Sequence, residues 1–195
     1  GFPATDWPAH GRLRGQHVVQ LPAGLESDRY RFFLEEYPLG EIAITAPERQ
    51  STPPPLAAQL DATFTTAGGT LIATLAGIAA SPQLPCSPGP LTICSVPLVW
   101  RAEAETPVGY RVFVHLIDAA GNILAQSDGI PAGWTRPTTG WLPGEYIVDT
   151  HTLQLPAELP RDGLSLRIGL YDGDTGVRLR SGESDFVTLP LPDAP

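Results

Sequence analysis

Methionine and lysine are missing from this 195-residue chain, cysteine occurs twice and histidine four times. Without methionine there is no initiator, which predicts an excised or processed segment with Gly1 a cloning remnant. Basic residues that are all arginine point to a GC-rich genome. A net charge of −9 opposes phosphate neutralisation, and no arginine-rich stripe offsets it, so nucleic acid and anionic lipid are not expected partners. Long apolar runs are missing too. The 39 residues from Ala62 to Trp100 carry no charge, but Pro82, Pro85, Pro88, Pro90 and Pro97 interrupt them. The longest apolar piece, Leu71–Ala80, falls well short of the ~20 residues a spanning helix needs, and reads as a buried strand leading into a loop. Helical periodicity is absent: no window of roughly 11 residues repeats apolar positions at i, i+3, i+4 and i+7 without proline or glycine.

What the chain does contain is 22 prolines and 20 glycines beside a hydrophobic fraction of 42%. That composition belongs to a folded protein of many short strands and turns. About a dozen strands are expected, from Gln16–Leu21 through Val177–Arg180 to Asp185–Leu191. In Tyr110–Asp118, Val112, Val114 and Leu116 alternate with Arg111, Phe113 and His115; in Leu164–Tyr171, Leu164, Leu166, Ile168 and Leu170 alternate with Ser165, Arg167 and Gly169. Asp118–Asn122 and Asp172–Gly176 read as hairpin turns. The predicted fold is all-β, an antiparallel β-sandwich of Ig-like or jelly-roll-like kind, with an N-terminal β-hairpin segment or partial second unit.

An internal repeat bears on that last element. His17–Glu26 followed by Arg29–Leu34 parallels His151–Pro160 followed by Leu164–Leu170, both reading strand, proline turn, strand. Residues 1–46 are accordingly either the back portion of a preceding sandwich unit or a hairpin packed onto the later one. Residues 47–55 form a linker, and 56–195 the main sandwich.

Few residues suggest chemistry. Cys86 and Cys94 flank a Ser-Pro-Gly-Pro turn that can bring two strand ends within disulfide reach, the alternative being two buried thiols. The carboxylate pairs Glu103/Glu105, Glu183/Asp185 and Asp172/Asp174 each share a strand face or turn, as solvated strand ends do. No Gly-x-Ser-x-Gly elbow is present, and His10, His17, His115 and His151 form no chelating pair. Asp172 and Asp174 are the best calcium candidates, short of an EF-hand loop; no other cofactor is expected. The segment Asp128–Glu145 is long for a compact domain. Trp134 and Trp141 there offer flat apolar faces, with Asp128, Arg136 and Glu145 as hydrogen-bonding neighbours. This is the equipment of a sugar platform, or else two indoles that plug the end of the sandwich.

The motifs Tyr110–Gly129, Pro131–Trp134, Pro137–Glu145, Leu153–Ala157, Arg167–Asp172 and Thr175–Leu179 resemble, in order, the carboxy-terminal β-sandwich of certain large bacterial membrane proteins. In that family the sandwich follows a multi-pass region similar to protein mannosyltransferase-type (family 39) glycosyltransferases. The likeness covers Leu91–Leu189, fades upstream, and does not extend to the cysteine-containing insertion. It implies an extracytoplasmic, membrane-tethered appendage without catalytic residues of its own, adjoining the membrane-embedded portion of the same parent chain. It carries over no ligand residue. The expected function is a noncatalytic module that binds glycan or polypeptide, with a structural spacer as the alternative and a glycoside hydrolase or other hydrolase as a third reading.

Overall fold

A computed structural model describes residues 18–80, 86–87, 92–156 and 163–191. His10, His17 and the start of the first expected strand lie outside them, and residues 18–21 are not in a strand. The order is β1 (Asp28–Leu34), β2 (Tyr37–Ile44), β3 (Leu56–Thr65), β4 (Leu71–Ala79), β5 (Cys86–Ser87), β6 (Thr92–Ala102), β7 (Tyr110–Ile117), β8 (Ile123–Gly129), β9 (Tyr146–Leu155), β10 (Ser165–Asp172) and β11 (Val187–Pro190).

The main body is an all-β sandwich of two antiparallel sheets. One runs β11-β10-β7-β8. In the other, β3, β4, β6 and β9 are neighbours in that order, and short β5 pairs with β6 beyond the end of β4. β1 and β2 make a separate two-stranded sheet.

In the edge strand β9 burial follows directly from the sequence pattern. In β9, Ile147, Asp149, His151, Leu153 and Leu155 are buried while the residues between them face water, as an edge strand with one covered face requires. Val112, Val114 and Leu116 of β7 meet Leu166, Ile168 and Leu170 of β10 across the ladder, and all are buried in one core with Trp100, Trp141 and Phe64. Phe64 and Trp100 pack edge to face, centroids 5.4 Å apart. Gly169 is required, because a Cβ there would come within 2.5 Å of the Phe113 ring. Pro97 stands in β6 between the stretch paired with β5 and that paired with β4, where a missing N–H costs least.

One expectation is corrected: Val177–Arg180 is not a strand. Arg178 bridges Tyr171 of one sheet while Arg180 bridges Thr65 of the other, so single bridges divide it between partners. The segment 47–55, read as a linker, is attached to the sandwich: Gln50 pairs with Tyr146, and Arg49 reaches Glu145. Cys94 is disulfide-bonded, and strand register places Cys86, the one other cysteine of the sequence, opposite it.

Candidate functional site

The long connection from β8 to β9 begins with a left-handed turn. After Ile130, which is extended, and then Pro131, the φ/ψ angles are 53°/49° at Ala132 and 61°/43° at Gly133, and φ is 72° at Trp134. Glycine tolerates this, but an L-residue in the left-handed region costs about 1–2 kcal/mol, so Ala132 and Trp134 together store strain that the surroundings must offset. Hydrogen bonds do so. Ala132 N donates to the buried Asp149 carboxylate at 2.7 Å, Trp134 N to Ile130 O at 3.0 Å, and Arg136 N to Pro131 O at 3.1 Å. The result is a tryptophan held outward: Trp134 is 61% exposed. Its indole edge lies close to Gly129, where an added Cβ would stand 3.1 Å from Nε1, and the Arg111 guanidinium sits 5.7 Å from the ring centroid.

Trp141 has the opposite fate. It is 1% exposed, and its Nε1 donates to Arg136 O at 3.0 Å. The 3-10 turn Thr138–Gly140 leads into it, anchored by Thr138, whose hydroxyl accepts from Tyr110 N and donates to Val108 O, both at 2.8 Å. Glu145 closes this end. One carboxylate oxygen accepts from Arg49 at 2.6 Å and the other from Arg136 at 2.8 Å, with Glu145 only 4% exposed. Arg49 also donates to Gly140 O and Ala23 O, so one buried carboxylate and two guanidiniums join the loop to segments far earlier in the chain.

The five residues singled out as a sugar platform therefore separate. Trp141, Arg136 and Glu145 form an internal clamp, and Trp134 stands on the surface beside Arg111 and Gly129. Asp128 belongs to the outer face of the β7–β8 pair, where its carboxylate lies 3.1 Å from His115 Nε2. Phe113 continues that face, with its ring 4.9 Å from His115 and the Arg178 guanidinium 4.4 Å above it.

A polar cluster that the sequence reading missed sits where the edge strands β8 and β9 of the two sheets meet. His151 Nε2 is 2.9 Å from Asp149 Oδ2, and Ser127 Oγ is 3.1 Å from His151 Nδ1. A carboxylate accepts only, so Nε2 carries a proton; in the tautomer with Nδ1 bare, that atom accepts from the Ser127 hydroxyl. Trp100 Nε1 donates to the same Asp149 oxygen at 3.3 Å. Chemically this is a hydroxyl, an imidazole and a carboxylate in series. The legible signal was Asp149 and His151 at i, i+2, polar on the otherwise apolar inward face of one strand.

Several other carboxylates are engaged locally. Glu103 pairs with Arg101, and Asp185 with Arg178. Asp172 accepts from Asp174 N, Thr175 N and Thr175 Oγ1, bonds that close its own turn and hold its carboxyl below the usual value, the Asp174 N–H first among them. Asp118 is lowered likewise, chiefly by the Asn122 side chain. Burial pushes the Tyr110 phenol up. No three His, Cys, Asp or Glu side chains among the described residues converge as a metal site. A shallow groove of about 340 Å³ lies between Gln20–Ala23 and Glu105–Pro107, away from Trp134. No family model, curated protein or solved structure matches the chain.

Proposed function

We propose that the chain is a noncatalytic, extracytoplasmic β-sandwich module, accessory to a membrane glycosyltransferase of the family 39 type, that binds glycan through Trp134. The observation that carries this reading is a large indole, 61% exposed, on a left-handed turn whose strain is offset by a buried carboxylate. A strained backbone that holds an apolar side chain in water gains nothing for folding, and such strain collects at functional sites. A pyranose ring stacks its C–H face on the indole, and the Arg111 guanidinium beside the ring supplies N–H donors to its hydroxyls. The resemblance supports the setting beside a membrane enzyme. Screening the purified chain against a glycan array, with Trp134→Ala as control, tests it: binding lost in the variant supports the reading. Silence across the array, with binding to extended polypeptide only, moves the ligand to that class, and silence to both leaves the spacer reading.

A second reading rests on the Ser127–His151–Asp149 series, whose spacings of 3.1 and 2.9 Å are those of an activated nucleophile in a hydrolase. Ser127 would attack an acyl carbon while His151 takes its proton and passes it to the departing alcohol or amine as the old acyl bond breaks; water, deprotonated by His151, would then cleave the acyl–serine ester, freeing the acid and restoring the Ser127 hydroxyl. Labelling of Ser127 by a fluorophosphonate, abolished by His151→Ala, would establish it; an unlabelled chain removes it.

A further inference from the structure

The hairpin β1–β2 has the surface of a sheet built to cover a core. Tyr30 stands opposite Ile42, Phe32 opposite Gly40, and Asp28 opposite Ile44, so Tyr30, Phe32, Ile42 and Ile44 share one face. Arg29, Arg31 and Glu41 share the other, where Arg31 and Glu41 form an ion pair at 3.1 Å. One face is thus suited to water and one to an interior. Yet Ile42 is 45% exposed, and beyond the bulge at Phe32/Phe33, Leu34 and Tyr37 are each 64% exposed. A two-stranded hairpin is marginal in water at best, so this face requires a cover.

The sequence names the cover. His17 to Ala23 matches His151 to Ala157 at five of seven positions, an offset of 134 residues (151 − 17), and without a gap the same offset carries Leu25 onto Leu159 and Asp28 onto Asp162. It sets Phe32 on Leu166 and Leu34 on Ile168. The antiparallel partner is shared in kind but not in spacing: Tyr30 faces Ile42 across a tight hairpin, whereas Leu164 meets Leu191, whose N donates to Leu164 O at 3.0 Å, across a connection 15 residues longer. Burial differs too. Leu166 and Ile168 are 3% and 0% exposed, because β7 pairs with the far edge of β10 and the opposite sheet lies across its inner face. Among the described residues, β1 has neither.

We propose that β1 and β2 are the last two strands of a preceding sandwich unit of this same architecture. That unit pairs a β7-like strand with the free edge of β1 and lays its opposite sheet over Tyr30, Phe32, Ile42 and Ile44. A second copy of the chain does not fit this role, since the matching edge of its β7 is already taken by β10. The chain is then one complete unit preceded by the closing hairpin of another, in a tandem array.

Hydrogen exchange on two chains tests this. In the 195-residue chain, β1 and β2 amides exchange within minutes while β10 is protected, and Phe32→Asp leaves the melting temperature unchanged. In a tandem chain made by joining residues 56–150 directly to His17, as the offset dictates, β1–β2 protection rises at least about 100-fold. There Phe32→Asp abolishes that gain and spares β10. The proposal is overturned if β1–β2 is already as protected as β10 in the 195-residue chain, whether within a monomer or in a dimer seen by sedimentation. It is equally overturned if β1–β2 stays unprotected in the tandem chain.

Discussion

Replacing Asp149 by alanine removes the acceptor shared by Trp100 Nε1, His151 Nε2 and Ala132 N. Trp100 is fully buried and His151 is 5% exposed, so neither donor gains water in exchange. An unsatisfied buried donor costs about 1–3 kcal/mol. Two of them, with the loosened Ala132 turn, sum to about 3–5 kcal/mol, and at about 2–4 °C per kcal/mol for a chain of this size the midpoint falls by about 6–20 °C. Asp149→Asn discriminates the mechanism. Its amide oxygen still accepts from Ala132 N, and its NH2 can donate to His151 Nε2 if the ring changes tautomer and donates from Nδ1 to Ser127. Only Trp100 Nε1 is then left unpaired, at about 1–2 kcal/mol. Thermal melts followed by far-UV circular dichroism, in the order wild type, Asn, Ala, read this out. A fall of less than about 3 °C in Asp149→Ala, or equal losses in the two variants, would refute the claim that this carboxylate ties β8, β9 and the left-handed turn together.

Glu145→Ala leaves Arg49 and Arg136 facing each other without their carboxylate, and breaking a buried pair of this kind costs about 3–5 kcal/mol; urea melts should show a lower midpoint, restored in part when Arg136→Met is added. Reduction of the chain, or Cys94→Ser, releases a nine-residue loop (86 to 94) and lowers stability by about 2–3 kcal/mol, read as the difference between melts with and without reductant. For Asp118 and Asp172 the folded pKa lies below the ordinary 3.8, so their contribution is complete above that value and is lost as pH falls through the lowered folded value. Melts at pH 6 and pH 2.5 should show this loss, and the Asp172→Asn variant should show less of it.

Strands with a single covered face were legible from alternation, because burial on one side of a pleat imposes period two: β9 and β10 stand where the pattern puts them. β7 also stands where its alternation puts it, but both its faces are covered, Phe113 and Ile117 being 1% and 4% exposed. The segment Val177–Arg180 misled because β-branched and apolar content reports burial, and Leu179 is buried at 3% without a continuous ladder. The contrasting fates of Trp134 and Trp141 could not be read. They turn on positive φ at Ala132 and Trp134, which no propensity encodes for residues other than glycine. The partners of Glu145 were hidden by distance, Arg49 being 96 residues earlier in a stretch that reads as a linker. Asp149 and His151 were visible in principle, two polar residues on an apolar strand face, but their meaning depended on Ser127 from the other sheet.

The central claim, that Trp134 is the ligand-contacting residue of a binding module, is tested most directly by comparing wild type, Trp134→Ala and Trp141→Phe on one glycan array. Trp134→Ala should abolish every wild-type signal while leaving the melting temperature within a few degrees. Trp141→Phe should retain the signals despite its cost in the core. Signals that survive Trp134→Ala, or no signal for the wild type on any glycan, would contradict the account.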